Sequence, residues 1–592
     1  MQLKKINTKN CLFLAGVTSL SMTFGCSNHY INVYSQPNDA LNTNDKLPGP
    51  LITEQQKKKT NFVTVVIDDM GWSDCGFLGS EIDTPNLNKY ATQGTILTNF
   101  YGAASSVPSR AQLFTGKDAH EIGAGTMCGF KVPEVLNQPG YECILEFYTP
   151  TLPELLQQGG YHTMFTGKWH LGEDQAHFPI SRGFSDTRGV ALWGYTMCFA
   201  NDDGTVIPCV PDKVLKKHNR KSLWNENGKE VTYLSKDFYS TTYFVNQAIN
   251  MLKDRPKEKP FYINISFNAV HFPLQAPMEI TNKYLDMYAK GWDIIRQERF
   301  ERQKQLGLFP QDAVLPPRDD VKEWDSLNDE EKKIQIKKMA VYAAMVEMVD
   351  KNFGRFMQYL KDIGEYENTV VFLFSDNGAS HHDPAEDPVF GLVKWIEENF
   401  DNSLESIGSK RSFTGLTKGW AMAASTPFNR FKTTMYEGGV HTAAFVHYPK
   451  SVMSGKRLNC IVSEMDIAPT ILEMAGIKYP EMYRGEKLSA LLGVSFADML
   501  KNKSFTPNCD EKRFIGFEFA GIKGIRSGDY KLSMEGGQDD FYMFNLKKDP
   551  FESDILNEKE PQKYEEMKEV YKQYTEENNV IFVLPSKKLG GH

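Results

Sequence analysis

Four apolar stretches constrain this chain most: NFVTVVIDD from Asn61, YHTMFTGK from Tyr161, PFYINISFNAVH from Pro260 and NTVVFLFSDNG from Asn368. Each is β-branched or apolar on both faces, the pattern of a strand buried in a parallel sheet. Helical segments fall between them: TLPELLQQGG from Thr151, STTYFVNQAINMLKD from Ser240 and KKMAVYAAMVEMVDKNFGRFMQYLKDIG from Lys337. Strands alternating with helices predict an α/β sheet covered on both sides. The tail from about residue 510 reads instead as short antiparallel strands and a last helix, PQKYEEMKEVYKQYTEEN. A chain of 592 residues has room for both parts. The expectation is a large domain over 60–505 and a smaller α+β domain over 506–592.

Open α/β sheets build their sites at the carboxyl ends of the strands. The first stretch delivers Asp68 and Asp69 there, the second Lys168 and His170, the third His271, and the fourth Asp376 and Asn377. Asp-Met-Gly and Asp-Asn-Gly also read as turns that cap a following helix. Two such pairs, each directly after a buried strand, favour a shared purpose. Three carboxylates brought together repel by about 4 kcal/mol per pair at ~4 Å and an effective dielectric near 20. A hard divalent cation, calcium or magnesium, relieves that repulsion through oxygen ligands. Arg110, Lys168 and Lys432 are candidates for an adjoining anion site. Acid oxygens around a metal beside a basic half-site suit hydrolysis of an anionic ester, with a histidine protonating the leaving oxygen. Such a site still needs a nucleophile. The net charge of −8 argues against a nucleic-acid partner.

SVPSRAQLFTG, from Ser106, resembles the signature of the type I, formylglycine-dependent sulfatases. GGYHTMFTGKWHLG resembles that family's second signature, IDDMGWSDCGFLG and FSDNG its two metal segments, and KTTMYEGGVHT its Lys-x-Thr-x-x-Glu-Gly-Gly block. The likeness runs from about residue 60 to 560. KGWDIIRQERFERQKQLGL, LPPRDD, MAVYAAMVEMVD and WAMAASTPFNRFK are similar to the bacterial arylsulfatase branch in particular. The resemblance implies an alkaline-phosphatase-like sandwich: a large mixed, mostly parallel sheet flanked by helices, with a smaller C-terminal α+β domain. It implies that Ser106, two positions before the proline, is oxidised to formylglycine (3-oxoalanine), which makes Ser105 a bystander. Asp68, Asp69, Asp376 and Asn377 would bind calcium with an oxygen of modified Ser106. Arg110 and Lys168 would support the formylglycine and the sulfate, and Lys432 would contact sulfate oxygens. His170 would take the proton that lets sulfate leave, and His271 would protonate the leaving alcohol or phenol. The hydrated aldehyde attacks sulfur with one hydroxyl and expels sulfate with the other, an exit that plain serine lacks. The implied partners are a sulfated small molecule or glycan and a serine-type maturating enzyme. The alternative is a phosphate- or phosphonate-ester hydrolase of the same superfamily using unmodified Ser106, since fold alone does not decide activity.

The first 26 residues combine a basic start with the apolar run CLFLAGVTSLSMTFG, which reads as a secretory signal peptide. Cys26, after Gly25, resembles the acylated cysteine of bacterial lipoproteins. The expected location is the periplasm or outer membrane, with membrane attachment only through a lipid anchor. Residues 27–59 read as a flexible tether. No two cysteines have CxxC spacing, so a thiol metal motif is not expected. Cys198 with Cys209 is the expected disulfide. Lys117 is expected to reach solvent, His120 to approach the core site, His441 to be at most a minor pocket residue, and His381, His382 and Asp383 to form a specificity loop.

Overall fold

The computed structural model describes residues 58–130, 132–317, 321–501, 513–536 and 538–583. The signal peptide, Cys26 and the tether up to residue 57 lie outside the described residues, as does the expected domain junction at 505–506.

Ten strands form one sheet: β1 (Asn61–Ile67), β2 (Thr95–Tyr101), β3 (His162–Lys168), β4 (Asp186–Ala191), β5 (Trp224–Glu226), β6 (Lys229–Val231), β7 (Phe261–Ser266), β8 (Thr369–Ser375), β9 (Ala444–His447) and β10 (Lys456–Ser463). Their order is β10-β2-β9-β8-β1-β7-β3-β4-β5-β6. The centre, β8-β1-β7-β3-β4, is parallel throughout. β9 and β5 run antiparallel to their neighbours, so the sheet is mixed and mostly parallel.

The period-2 geometry of β1 sends its side chains into two cores. Val63, Val65 and Ile67 pack with the helices Ser240–Asp254 and Asp329–Asp362 on one face. Phe62 and Val66 pack with the helices Ser106–Thr115, Leu152–Gln158 and Ile467–Ala475 on the other. Each such fully buried side chain contributes about 1.5–3 kcal/mol, and all seven β1 residues are buried. The long helix begins eight residues before the Lys337 expected from its apolar periodicity. Asn328 caps it by accepting from the backbone N–H of Glu330 and Glu331, and Glu331 completes a capping box. No described helix is long and apolar enough to cross a membrane.

After a small hairpin, β11 (Met482–Tyr483) and β12 (Glu486–Lys487), a separate antiparallel sheet follows. It comprises β13 (Phe514–Phe519), β14 (Ile522–Ser527), β15 (Tyr530–Met534) and β16 (Tyr542–Asn545). The helix Pro561–Glu577 covers it, burying Tyr564, Met567, Tyr571 and Tyr574 beside Ile525, Leu532 and Met543.

The expected Cys198–Cys209 disulfide is absent. Both are free, buried thiols. Cys198 accepts from Asn268 Nδ2 at 3.7 Å, and Cys209 donates to the Tyr195 carbonyl at 3.5 Å. Burial pushes their thiols up to about 11 and about 12. Cys460 is disulfide-bonded.

Candidate active site

Strand ends deliver the acids. Asp68 and Asp69 follow β1, and Asp376 and Asn377 follow β8, its parallel neighbour. Asp69 sits in the left-handed region at φ 61°, a conformation that Asp tolerates better than most residues. Its backbone N–H donates to Asp376 Oδ1 at 3.1 Å, which locks the two strand ends together. Gly378 then lies so close to the Glu437-Gly438-Gly439 turn that a Cβ would stand 1.9 Å from the Gly438 carbonyl oxygen. That approach brings the Lys432 segment over the acids.

All four acid-pair residues are buried. Oxygens of Asp68, Asp69 and Asp376 lie within 4.8 Å of one another. Three cations answer them. Lys168 Nζ meets both Asp68 oxygens at 2.8 and 2.6 Å, Lys432 Nζ meets Asp69 Oδ1 at 2.6 Å, and Arg110 Nη2 meets Asp376 Oδ2 at 2.9 Å. Arg110 Nη1 also donates to the Lys168 carbonyl at 3.0 Å. Asn377 Nδ2 donates to Asp69 Oδ1 at 2.6 Å. Asp69 Oδ2 is left without a hydrogen bond although buried. An orphaned carboxylate oxygen in an all-oxygen cluster fits a hard divalent cation.

Ser106 is the first residue of the helix Ser106–Thr115, every residue of which is buried. Its Oγ lies 3.1 Å from Asp68 Oδ1, 3.4 Å from Asn377 Oδ1 and 3.2 Å from Lys168 Nζ. The helix has Ser105 at its N-cap, with no side-chain capping bond. Ser109 ties the helix to the acids instead: its hydroxyl donates to the Asp376 carbonyl at 2.6 Å and accepts from Ala103 N–H at 3.0 Å.

A cavity of about 280 Å³ opens above this cluster, with Ser106, His170, His271 and Lys432 on its floor. His271 Nδ1 lies 2.8 Å from the Phe272 carbonyl. A carbonyl only accepts, so Nδ1 carries the hydrogen and Nε2, 3.5 Å from Asp69 Oδ2, is the nitrogen that exchanges a proton. Burial, then Lys432 and Lys168, hold His271 well below the usual imidazole range. Burial, then Lys168, Arg110 and Lys432, do the same to His170, whose Nδ1 has no hydrogen-bond partner. Burial also pushes the Lys168 ammonium down, against the pull of Asp68.

The fold therefore gathers Asp68, Asp69, Ser106, Arg110, Lys168, His170, His271, Asp376, Asn377 and Lys432 at one place. The remaining expectations divide, with His441 minor as expected and others failing. His120 does not approach this cluster: its ring is held between Asp118 at 2.7 Å and Glu518 at 2.8 Å. Lys117 is buried rather than solvated, with Glu121, Ser489 and the Ala490 carbonyl as partners. The 381–383 loop divides: His382 reaches the cavity, His381 stacks on Phe431, and Asp383 pairs with Lys338. His441 faces Glu437 and the Thr98 carbonyl. Sequence reasoning missed the cavity walls, Phe130, Trp193, Tyr195, Phe272 and Phe390. Tyr195 stacks on His271 with ring centroids 6.2 Å apart. Nothing in the linear pattern around WGY separates these rings from core aromatics.

Fold and site together define an ester hydrolase of alkaline-phosphatase-like architecture, with an acid cluster that can hold a metal and cations for an anionic substrate. Residues 60–477 match the family described as Sulfatase, and residues 428–579 match the C-terminal region of N-sulphoglucosamine sulphohydrolase. The chain belongs to the sulfatase family and is a sulfuric ester hydrolase. It is 37% identical to an uncharacterized sulfatase of Schizosaccharomyces pombe over 89% of this chain and 95% of that protein. It is 32% identical to the arylsulfatase of Klebsiella aerogenes over 75% of this chain and 92% of that protein. Among solved structures, Ps i-CgsB bound to k-i-k-neocarrahexaose matches with a TM-score of 0.60 at 23% identity, over 89% of this chain and 95% of that one. That likeness establishes the fold.

Proposed function

We propose that this sulfatase hydrolyses sulfate monoesters of small ring-bearing alcohols or phenols through a formylglycine made from Ser106, with calcium, or magnesium in its place, at Asp68, Asp69, Asp376 and Asn377. One observation carries the reading. Ser106 Oγ lines the cavity between Asp68 and Lys168, in the cluster where Asp69 Oδ2 has no hydrogen-bond partner.

A divalent cation held by Asp68, Asp69, Asp376 and Asn377 would offset their negative charge and would supply Lewis-acid chemistry toward the sulfate. Lys168, Lys432 and Arg110 hold the remaining negative charge, in a site where burial strengthens each interaction. His170 is kept neutral by burial and then by its cationic neighbours, so it accepts the proton of the hydroxyl at position 106. His271 donates from Nε2 to the leaving oxygen, and the anionic substrate offsets the two lysines that disfavour its protonated form. The cavity supports the substrate class. At about 280 Å³ it is at the small end for a ligand site, and its aromatic walls fit one or two rings better than a polymer chain. The Klebsiella relative is named an arylsulfatase, which accords with that choice.

The bacterial-arylsulfatase-like segments support a serine-type maturating enzyme as partner. The basic and apolar N-terminus with Cys26 supports export to the periplasm or outer membrane on a lipid anchor. Mass spectrometry of the Ser106 peptide from the native host tests the chemistry. A peptide lighter than serine by one hydrogen molecule is expected. Intact serine with fast phosphate-ester turnover would replace this reading with the phosphohydrolase one.

A further inference from the structure

A second cavity, of about 320 Å³, lies where the C-terminal sheet meets the edge of the large sheet. Arg526 of β14 lines it from one side, and Asn99 of β2 and Arg457 of β10 from another. Trp72, Phe309 and Phe428 supply apolar walls.

Arg526 is only 8% exposed, yet its guanidinium is poorly matched. Nε reaches the Gly528 carbonyl at 3.4 Å, and Nη1 stops 3.8 Å from Glu437 Oε2, beyond hydrogen-bond range. Neither Nη atom has a hydrogen-bond acceptor among the described residues. Glu437 is already satisfied by Tyr101 Oη at 2.7 Å, His441 Nδ1 at 2.9 Å and Lys531 Nζ at 2.7 Å. Asp529 and Glu552 act on Arg526 only through space. Of the carboxylates around this guanidinium, Glu437 is the nearest, and Lys531 balances it. The guanidinium face lies over the Tyr101 ring at 5.0 Å and Nη1 is in ion-pair range of Glu437, but its two Nη donors have no hydrogen-bond acceptor among the described residues and Arg526 lines the cavity. A buried guanidinium costs several kcal/mol unless its fork is filled, and carboxylate or sulfate fills it in bidentate fashion.

We propose that this cavity binds a small aromatic oxyanion, with its carboxylate or sulfate on Arg526 and its ring against Trp72, Phe309 and Phe428. The site is separate from the sulfate-cleaving centre. The two are joined by one short segment, which presents Lys432 to the centre and Glu437 and His441 to the second cavity.

Isothermal titration of the full-length protein at fixed ionic strength tests this, using benzoate, inorganic sulfate and neutral benzyl alcohol as probes. Benzoate is expected to bind in the millimolar range or tighter and benzyl alcohol not to bind. Inorganic sulfate binding at the same site would assign the recognition to the oxyanion alone, and benzoate binding without sulfate would assign it to oxyanion and ring together. Arg526→Gln is expected to weaken benzoate by at least about tenfold, as loss of a charge-assisted fork should. Arg526→Lys, which keeps the charge and guards against a folding defect, is expected to weaken it about threefold or more through loss of the planar fork. Lys432→Ala is expected to leave benzoate binding unchanged. Wild-type affinity in both Arg526 variants, loss in Lys432→Ala alone, or no binding by the wild-type protein would each overturn the proposal.

Discussion

Two buried charge clusters in this molecule have similar ingredients and opposite bookkeeping. The seam between the large domain and the C-terminal sheet holds His120, Asp118, Glu518 and Tyr574. Asp118 Oδ1 accepts from His120 N and Nδ1, and its Oδ2 accepts from Tyr574 Oη at 3.0 Å. Glu518 Oε2 meets His120 Nε2, and Oε1 accepts from Gly521 N–H at 2.7 Å. Every carboxylate oxygen there is used. In the strand-end acid cluster, Asp69 Oδ2 and His170 Nδ1 are buried without a hydrogen bond. A saturated cluster holds domains together. An unsaturated one waits for something to bind, because an orphaned buried polar atom is costly unless a ligand completes it.

The comparison breaks most visibly at Ser106. Ser106→Ala should lower sulfate release from 4-nitrophenyl sulfate by at least about ten-thousandfold, the scale of losing a covalent nucleophile, with no change in melting temperature. Equal activity in the variant would sink the proposed mechanism. Chelation comes next. EDTA should abolish most turnover and lower the melting temperature, and added calcium should restore both, since a ligand that binds only the folded state stabilises it by mass action. In Asp69→Asn the calcium-induced rise in melting temperature should shrink, and an undiminished rise would place the ion elsewhere.

His271→Ala sharpens the role of the cavity floor. It should cost roughly 10²–10⁴-fold on alkyl sulfates, whose leaving groups need a proton. The loss should be much smaller on 4-nitrophenyl sulfate; equal losses would argue that His271 positions the substrate rather than protonating it.

The seam should respond in stability and not in chemistry. Burial alone would push His120 down, but Asp118 and Glu518 win and hold it up to about 10, against 6.5 when unfolded. A folded-state value raised in this way contributes stability that is full below pH 6.5 and drains away as pH rises toward about 10. Urea midpoints should therefore fall between pH 6 and pH 9 in the wild-type protein and fall less in His120→Gln. Because removing one partner strands two buried carboxylates, that variant should lose about 3–5 kcal/mol while keeping its turnover per folded molecule. A large drop in turnover per folded molecule would erase the distinction between the clusters.

The two clusters also differed in legibility. Asp68, Asp69, Asp376 and Asn377 were readable because each pair follows directly on a both-faces-apolar strand, and parallel strands align their carboxyl ends by construction. The seam was not readable. His120 stands where the resembled family often has polar groups, but its second partner, Glu518, is 398 residues away. Lys117 was misjudged for the same reason, with Ser489 372 residues distant. Cys198 and Cys209 were close in sequence, yet each thiol has its own polar neighbour and neither faces the other as a partner. β9 was invisible as a four-residue strand whose order beside β8 comes from pairing and not from local pattern.

By itself, the sequence determined the parallel α/β core and the acids, Lys168 and the histidines at its strand ends, because burial periodicity is local and survives without coordinates; Ser106 came from the resemblance of its motif to the sulfatase signature. Only the tertiary structure decided which of the remaining charged residues belong to the site, what walls the substrate meets, and where Arg526 faces an unfilled cavity. Those depend on contacts between segments hundreds of residues apart, which loop closure and packing settle and no local pattern encodes.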